Sequence, residues 1–276
     1  MKLYLNFERL LNDTEADATR ELVKRRGQRE PLQHITGATS FCGFEIAVNR
    51  HVLVPRPETE LLAEAGWEFL GKHPTSNDQR TAVSERRAPS RPVDEANEPK
   101  LAEAVLGAPS VLDFGTGSGC IAIALAAKCP GARVTAVDVS ADALALAREN
   151  AARNGVGERI EFLPGDGLGA LSAGTRFDLI VSNPPYIPSG EIASLQPEVR
   201  DFDPRVALDG GEDGLDFYRR LAAEAGEFLK PGGKLMIEFG DGQADEIKKI
   251  FESQKWIVEA VRDDYSQRQR ILIARR

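Results

Sequence analysis

The chain has 276 residues, 42% of them hydrophobic and 28% charged, and a net charge of −8. This is room for one large α/β domain plus a smaller module, and the acidic balance argues against broad electrostatic capture of nucleic acid, though not against a local basic patch. No apolar run approaches the roughly 20 residues of a membrane span, the N-terminus has no signal-peptide core, and three cysteines without metal-type spacing plus three scattered histidines give no basis for a zinc site; the expectation is a cytosolic protein with no bound metal and no membrane partner.

Residues 1–30 read as helical. Thr14-Glu15-Ala16-Asp17 offers a helix start, and Leu22 and Val23 fall on an apolar stripe ending near Gly27. Two short helices of this kind bury little by themselves. After Pro31-Leu32-Gln33-His34-Ile35-Thr36-Gly37, residues 39–48 alternate and include Phe41 and Phe44, and residues 51–54 form a second short run. With Asn49-Arg50 between them, these predict a β-hairpin. Pro57 is placed to begin a helix, with Glu58 and Glu60 in its first turn and an apolar face from Leu61 to about residue 70. On physics alone, Arg56 reads equally well as a surface loop charge and the two glutamates as dipole-favouring residues. Residues 72–100 contain Pro74, Pro89, Pro92 and Pro99, many charges and almost nothing apolar, the composition of a linker. A short helix is expected over 101–106.

From Ser110 onward, strands and helices alternate. Strands are expected over 110–114, 133–138, 159–163, 177–182, 234–239, 256–261 and 270–274. Helices are expected over 119–128, 140–154 with Ser140 as N-cap, 214–229 closed by Lys230-Pro231-Gly232-Gly233, and 243–253. This alternation predicts a mostly parallel, doubly wound sheet.

Two turns in that pattern carry chemistry. Asp113-Phe114-Gly115-Thr116-Gly117-Ser118-Gly119 lies between the first strand and its helix, where glycines let a ligand approach the backbone. A dinucleotide fingerprint would need glycine at 120; Cys120 is there, and the third glycine sits one residue early. Asp138, at the end of the next strand, is placed to take ribose hydroxyls. The second turn, Asn183-Pro184-Pro185-Tyr186, ends the apolar strand 177–182. Two prolines stop a parallel strand and stiffen the turn beyond it. The Asn183 carboxamide oxygen and the Pro184 carbonyl can both accept from a substrate NH2, and the Tyr186 ring can stack on a flat group. The pair suits a conjugated, non-basic nitrogen, either a carboxamide or the exocyclic amine of a base. Such a nitrogen needs no histidine or lysine base. The bland reading is a strand-ending turn.

Other features read as structural. Cys120 and Cys129 belong in or near a core helix, Trp256 covers the sheet, and Glu212, Asp213 and Asp216 form a solvated loop and helix start rather than a metal site. His34 is as readily a packed residue as a substrate contact.

The glycine loop, Val137-Asp138 and the Asn-Pro-Pro-Tyr turn together resemble a class I S-adenosylmethionine methyltransferase. The longer stretches at 31–37, 54–60, 177–188, 213–220 and 230–235 resemble the HemK/PrmC family. Its members methylate the side-chain amide nitrogen of the glutamine in the Gly-Gly-Gln motif of peptide chain release factors. The resemblance runs from about Pro31 to the end, apart from the linker. It implies a Rossmann-like sheet, mostly parallel with the last strand antiparallel, over 101–276, preceded by a short helical module (1–37), a hairpin and connecting helix (38–72) and a flexible linker (73–100). It implies S-adenosylmethionine as methyl donor, leaving S-adenosylhomocysteine. Gly115, Thr116, Gly117, Ser118 and Gly119 would wrap the methionine part, Asp113 face its ammonium, Asp138 take the ribose, and Asp166 and Gly167 lie near the adenine. Asn183, Pro184, Pro185 and Tyr186 would hold the substrate amide, with Arg56 and Glu238 bordering the pocket. The residues alone fit an adenine amine equally well, which leaves an N6-adenine methyltransferase as the alternative; the choice of glutamine comes from the resemblance. The chain departs from the family twice. Gly167 stands where tryptophan is common, so adenine stacking must come from elsewhere, and the N-terminal helical module is shorter.

Overall fold

The computed structural model describes residues 9–72 and 107–276. The expected linker over 73–100 and helix over 101–106 lie outside the described residues, as does the start of the N-terminal module. Helix α1 (Asp13–Gly27) begins at Asn12, whose side chain accepts from the Glu15 N–H while Glu15 reaches back to the Asn12 N–H. This reciprocal cap satisfies two first-turn donors and places the start ahead of the expected Thr14. The expected apolar stripe is not buried: α1 has no buried residue, and Val23 is 65% exposed. Instead, Arg26 near the helix end and Arg29 just beyond it both pair with Glu198. A further short helix, α2 (Leu32–Thr36), ends at Gly37 in the left-handed conformation.

The hairpin differs from expectation. Strands β1 (Ala38–Phe41) and β2 (Phe44–Ala47) pair antiparallel about Cys42-Gly43, not about Asn49-Arg50. A type I′ two-residue turn needs positive φ at both central positions, and Cys42 (51°) and Gly43 (84°) supply it. Residues 51–54 form no strand, because Asn49 draws the chain into a turn: its side-chain oxygen accepts the His51 N–H and its carbonyl the Val52 N–H. Helix α3 (Pro57–Lys72) follows as expected. A Cβ at Gly66 would come within 2.9 Å of Leu125 Cδ2 and 3.2 Å of Leu179 Cδ2, so glycine lets α3 lie close on the core.

The main sheet has seven strands: β3 (Ser110–Phe114), β4 (Arg133–Asp138), β5 (Ile160–Pro164), β6 (Phe177–Ser182), β7 (Leu229–Glu238), β8 (Ile257–Asp263) and β9 (Gln269–Arg275). Their order is β5-β4-β3-β6-β7-β9-β8, and β9 runs antiparallel to both of its neighbours. Alternate strand residues feed two apolar layers. On one face lie α3, α4 (Cys120–Lys128) and α5 (Ala141–Arg153); on the other lie α7 (Asp216–Glu224) and α8 (Ala244–Ser253). The short helix α6 (Pro197–Arg200) belongs to the long loop after β6. Helix α7 ends earlier than expected, and Lys230-Pro231-Gly232-Gly233 falls inside β7. The pairing of β6 with β7 shifts register between Phe177 and Leu179, and such an irregularity accommodates a proline that cannot donate to a ladder.

One buried side chain joins the hairpin to this sheet. Asn150 on α5 accepts the Ala47 N–H at 2.8 Å and donates to the Ala47 carbonyl at 3.0 Å and the Ser118 carbonyl at 2.9 Å. Every hydrogen-bonding direction it uses ends on backbone, so truncation strands three buried groups. Asn150→Ala is expected to cost about 3 kcal/mol, read from urea unfolding; a loss under about 1 kcal/mol would show that the staple is dispensable.

Candidate functional site

Strands β3 and β6 are neighbours, with Phe114 opposite Ser182, and the Ser182 hydroxyl donates to the Phe114 carbonyl at 2.8 Å. The chain leaves β3 toward β4 and β5, then returns to β6 on the other side. This reversal of strand order is where open α/β sheets bind ligands. The glycine loop leaves β3 and the Asn-Pro-Pro-Tyr turn leaves β6. A cavity of about 280 Å³ lies between them, with Gly115, Thr116, Gly117 and Ser118 in one wall and Asn183, Pro184 and Pro185 in the other. That is close to the lower end of small-molecule sites, roughly 300–1,000 Å³.

The loop is shaped for close approach. Gly115 and Gly117 have φ of 74° and 54°, and a Cβ on either would meet no protein atom within 4 Å. The Gly115 and Thr116 N–H groups both donate to the Val137 carbonyl. Asp138, also in the wall, accepts the Gly117 N–H at 2.8 Å through Oδ2 and the Ser140 N–H at 2.9 Å through Oδ1. A carboxylate has about four acceptor positions, so lone pairs remain for a ligand. Gly119 is outside the wall. A Cβ there would lie 3.1 Å from Ala147 Cβ, so this glycine serves the packing of α4 on α5.

Asp113 is also outside the wall. It is fully buried beneath the loop, where Oδ2 accepts from the Thr116 hydroxyl at 2.7 Å and the Ala122 N–H at 3.1 Å. Its Oδ1 has no partner. Burial pushes this carboxyl up to about 7 against the two hydrogen bonds that favour its charge. Asp166 is in the wall, but its carboxylate is 77% exposed and paired with Arg220 at 2.5 Å. At Gly167 (φ 64°) a Cβ would sit 2.6 Å from Phe114 Cε2. The Phe114 ring occupies the space a larger residue at 167 would need, and Phe114 itself lines the cavity.

Asn183 is half-buried, and its Nδ2 donates to the Thr59 hydroxyl at 3.0 Å. Behind both lies Glu238, 2% exposed, whose carboxylate is hydrogen-bonded by Thr59 and by Asn183. Burial pushes Glu238 up to about 7. It stands behind the wall rather than at the pocket border where it was expected. Tyr186 is likewise behind the prolines, packed against the second apolar layer, with its carbonyl accepting from Gln243 Nε2 at 2.9 Å. The turn is pinned downstream, where the Ile187 N–H donates to Leu208 and the Gly210 N–H to Ile187. Arg56 lines the cavity and donates to the buried Asp203 at 2.9 Å. Burial pushes Asp203 up to about 6, with Arg56 pulling it back.

Several lining residues went unnoticed in the sequence: Thr59, Phe114, Val139, Pro204, Val206 and Phe217. Val139 and Val206 are 60% and 55% exposed. Val139 could have been found from its place just after Asp138; Pro204, Val206 and Phe217 come from loop and helix segments that no motif marks. Of the remaining features, Asp213 and Asp216 both bond Arg219, the His34 ring meets Phe202 edge-on at 6.5 Å, and Trp256 is buried with its N–H on the Ala222 carbonyl. Among the described residues no group of three or more side chains could hold a metal, and no helix is long and apolar enough to cross a membrane.

The buried Asp113 has a consequence for stability. Its folded-state carboxyl binds a proton more tightly than the unfolded one, so its contribution is greatest at low pH and is lost as pH rises from about 4 to about 7. Asp113→Asn does not titrate. The stability of Asp113→Asn relative to wild type is expected to shift in the variant's favour between pH 5 and pH 8, measured by urea unfolding; an unchanged difference would refute the assignment.

Comparison with known proteins agrees with this geometry. A methyltransferase small domain model matches residues 99–195, and a PrmC N-terminal domain model matches residues 1–37. The release factor glutamine methyltransferase of Geobacter sulfurreducens is 46% identical over 249 residues, covering 90% of this chain and 74% of that protein. The enzyme of the same description from Chlorobaculum tepidum is 42% identical, covering 95% and 81%. Among solved structures, the Thermus thermophilus 16S rRNA N2 G1207 methyltransferase, in complex with AdoMet and guanosine, shares the fold at TM-score 0.52 and 19% identity, covering 87% of this chain and 49% of that one. The chain is an enzyme of the release factor glutamine methyltransferase family, built on the class I methyltransferase fold.

Proposed function

We propose that the protein transfers a methyl group from S-adenosylmethionine to the side-chain amide nitrogen of the glutamine in the Gly-Gly-Gln motif of peptide chain release factors. The observation that carries this reading is the shared cavity: Asn183 and Pro184 face the glycine loop across the switch point of the sheet. The names of the relatives supply the acceptor.

The residues present fit the cofactor. Gly115 and Gly117 leave their backbone open to the cavity, Asp138 retains acceptor capacity for a pair of ribose hydroxyls, and Phe114 and Val139 offer apolar surface for a flat ring. Thr116 and Ser118 would complete the grip on the methionine part. Asp166 would serve the adenine end from the rim, in company with Arg220. When bound, the cofactor supplies an electrophilic methyl on a positively charged sulfonium.

The chain's own task is then positional. Residue 183 follows β6 directly, and the prolines at 184 and 185 fix φ. The Pro184 carbonyl lies beyond the sheet ladder. Together with the Asn183 carboxamide it would accept the two hydrogens of a planar NH2 and aim the nitrogen lone pair. An amide nitrogen of this kind is not deprotonated first, so the absence of a lysine or histidine base among the proposed residues is consistent with the chemistry. Holding the reacting atoms in line accounts for much of the rate such a site can supply. Tyr186, behind the prolines, would brace the turn. Arg56, held by Asp203, would meet the substrate at the mouth.

Purified protein with methyl-labelled S-adenosylmethionine is expected to label a release factor bearing Gly-Gly-Gln. Label on DNA or RNA but not on release factor would overturn the reading. Asn183→Ala is expected to lower transfer about 100-fold or more while changing the Kd for S-adenosylmethionine by less than about threefold; loss of both together would count against its role.

A further inference from the structure

We infer that Thr59 and Glu238 are positioning residues that hold the Asn183 carboxamide with its oxygen, rather than its NH2, turned toward the cavity, so that the site selects a planar NH2 donor. This deepens the proposed function and rests on its placing of Asn183 at the substrate nitrogen.

Donor supply fixes the orientation. Thr59 has one hydroxyl hydrogen, and an ionised carboxylate can only accept. Glu238 is hydrogen-bonded by the Thr59 hydroxyl and by Asn183. The single Thr59 hydrogen is therefore committed to Glu238, and at the 3.0 Å contact with Asn183 the Thr59 oxygen must accept. The only donor on the Asn183 side chain is its NH2. Turned the other way, the carboxamide oxygen would face the Thr59 oxygen and the Glu238 carboxylate, three acceptors with only the single Thr59 hydrogen to share. In a site where Thr59 is 3% and Glu238 2% exposed, water cannot relieve such a clash cheaply. The pattern requires the ionised carboxylate: burial raises Glu238 to about 7, and the bonds from Thr59 and Asn183 together with the nearby Arg270 pull it back toward the charged form. Arg270 is itself anchored, through the Phe239 carbonyl at 2.9 Å.

The consequence is selective. A cavity wall bearing the Asn183 oxygen and the Pro184 carbonyl presents acceptors side by side. It matches a primary carboxamide or an exocyclic amine, which offers two hydrogens in one plane. It disfavours a carboxylate, so a glutamate in place of the glutamine would meet acceptor against acceptor. Thr59 reaches this position from α3, on the N-terminal side of the sheet domain, while Glu238 comes from the end of β7. The orientation of the Asn183 amide is therefore set by segments remote in sequence from the Asn-Pro-Pro-Tyr turn.

Three variants and one spectroscopic signal test this. Thr59→Val keeps the shape and removes the hydroxyl. It is expected to lower kcat on release factor about 10- to 100-fold, with the Kd for S-adenosylmethionine within about threefold of wild type. Thr59→Ser restores the hydroxyl and is expected to recover most of that loss. Glu238→Gln, which can donate as well as accept, removes the bias and is expected to fall alongside Thr59→Val. Full activity in Thr59→Val, or a Thr59→Ser variant as impaired as Thr59→Val, would overturn the inference. The second readout is independent of any substrate. In 15N-asparagine-labelled protein, the Asn183 side-chain NH2 signal, identified by its loss in Asn183→Asp, is expected to exchange slowly with solvent in wild type and quickly in Thr59→Val. Rapid exchange in wild type would refute the orientation even if release factor is methylated. Slow exchange without methylation of release factor would leave the orientation standing and the proposed acceptor refuted.

Discussion

Everything at the site depends on one constraint, the side-by-side exit of β3 and β6 from the sheet. Their register sets Phe114 against Ser182, and the Ser182 hydroxyl closes the gap to the Phe114 carbonyl. From that pair the next residues are Gly115 and Asn183. Neither turn has to search for the other. Parallel strands require crossover connections, and here the crossovers carry the chain away on both sides, leaving the space above the pair free. The cavity is thus a product of topology, and the glycines and prolines refine it by opening one wall and stiffening the other.

Both walls are held by contacts from outside the sheet. Asn150 joins β2 to the Ser118 carbonyl in the glycine loop, Thr59 on α3 touches Asn183, and Arg56 bonds Asp203 in the loop after β6. Each of these joins the segment before α3, or α3 itself, to a turn of the main sheet. The hairpin and α3 are therefore part of the site's wall and its bracing. This explains why His51, Val52 and Pro55, in a stretch that forms neither strand nor helix, line the cavity. Arg26 near the end of α1 and Arg29 just beyond it reach Glu198 in the same post-β6 loop. Such partly exposed pairs contribute little energy, and among the described residues none on α1 is buried.

The sheet was legible because alternating apolar runs and turn residues report directly on strand and helix, and the two motif turns announced their own positions. What escaped reading did so for local reasons. Asn49 looked like a hairpin turn because asparagine favours turns, but its side chain closes a tight loop after β2, and the hairpin turns at Cys42, a residue with no turn preference. Lys230-Pro231-Gly232-Gly233 has the composition of a helix stop, yet it sits in an irregular stretch of strand. Leu22 and Val23 kept a helical spacing without a partner among the described residues to bury them. The site divides in the same way. The polar and glycine residues of the two motif turns were found, whereas the apolar Phe114 and Val139 beside them were passed over, and Thr59, Pro204 and Phe217 enter the wall through folding of distant segments. Asp113 and Glu238 were recognised but placed one layer too far forward, because a sequence gives the strand on which a carboxylate sits and not the face to which it turns.

That displacement is itself informative. Two carboxyls, Asp113 and Glu238, end up buried beneath opposite walls of the cavity, each with an oxygen that has no partner and each pushed up to about 7. Buried unpaired oxygens oppose stability, and a fold selected for stability alone would replace them with neutral or apolar side chains. Both, however, hold something that the cavity needs in one orientation. Asp113 bonds Thr116 in the glycine loop and the Ala122 N–H in the first turn of α4, and Glu238 bonds Thr59 and Asn183. A neutral hydroxyl or amide could reverse its donors and acceptors, whereas each of these carboxyls, in the ionised form above about pH 7, only accepts and so fixes the direction of every bond made to it. The stability given up by burying these groups is the counterpart of walls whose hydrogen bonds run one way, and local departures of this kind are concentrated where function demands them.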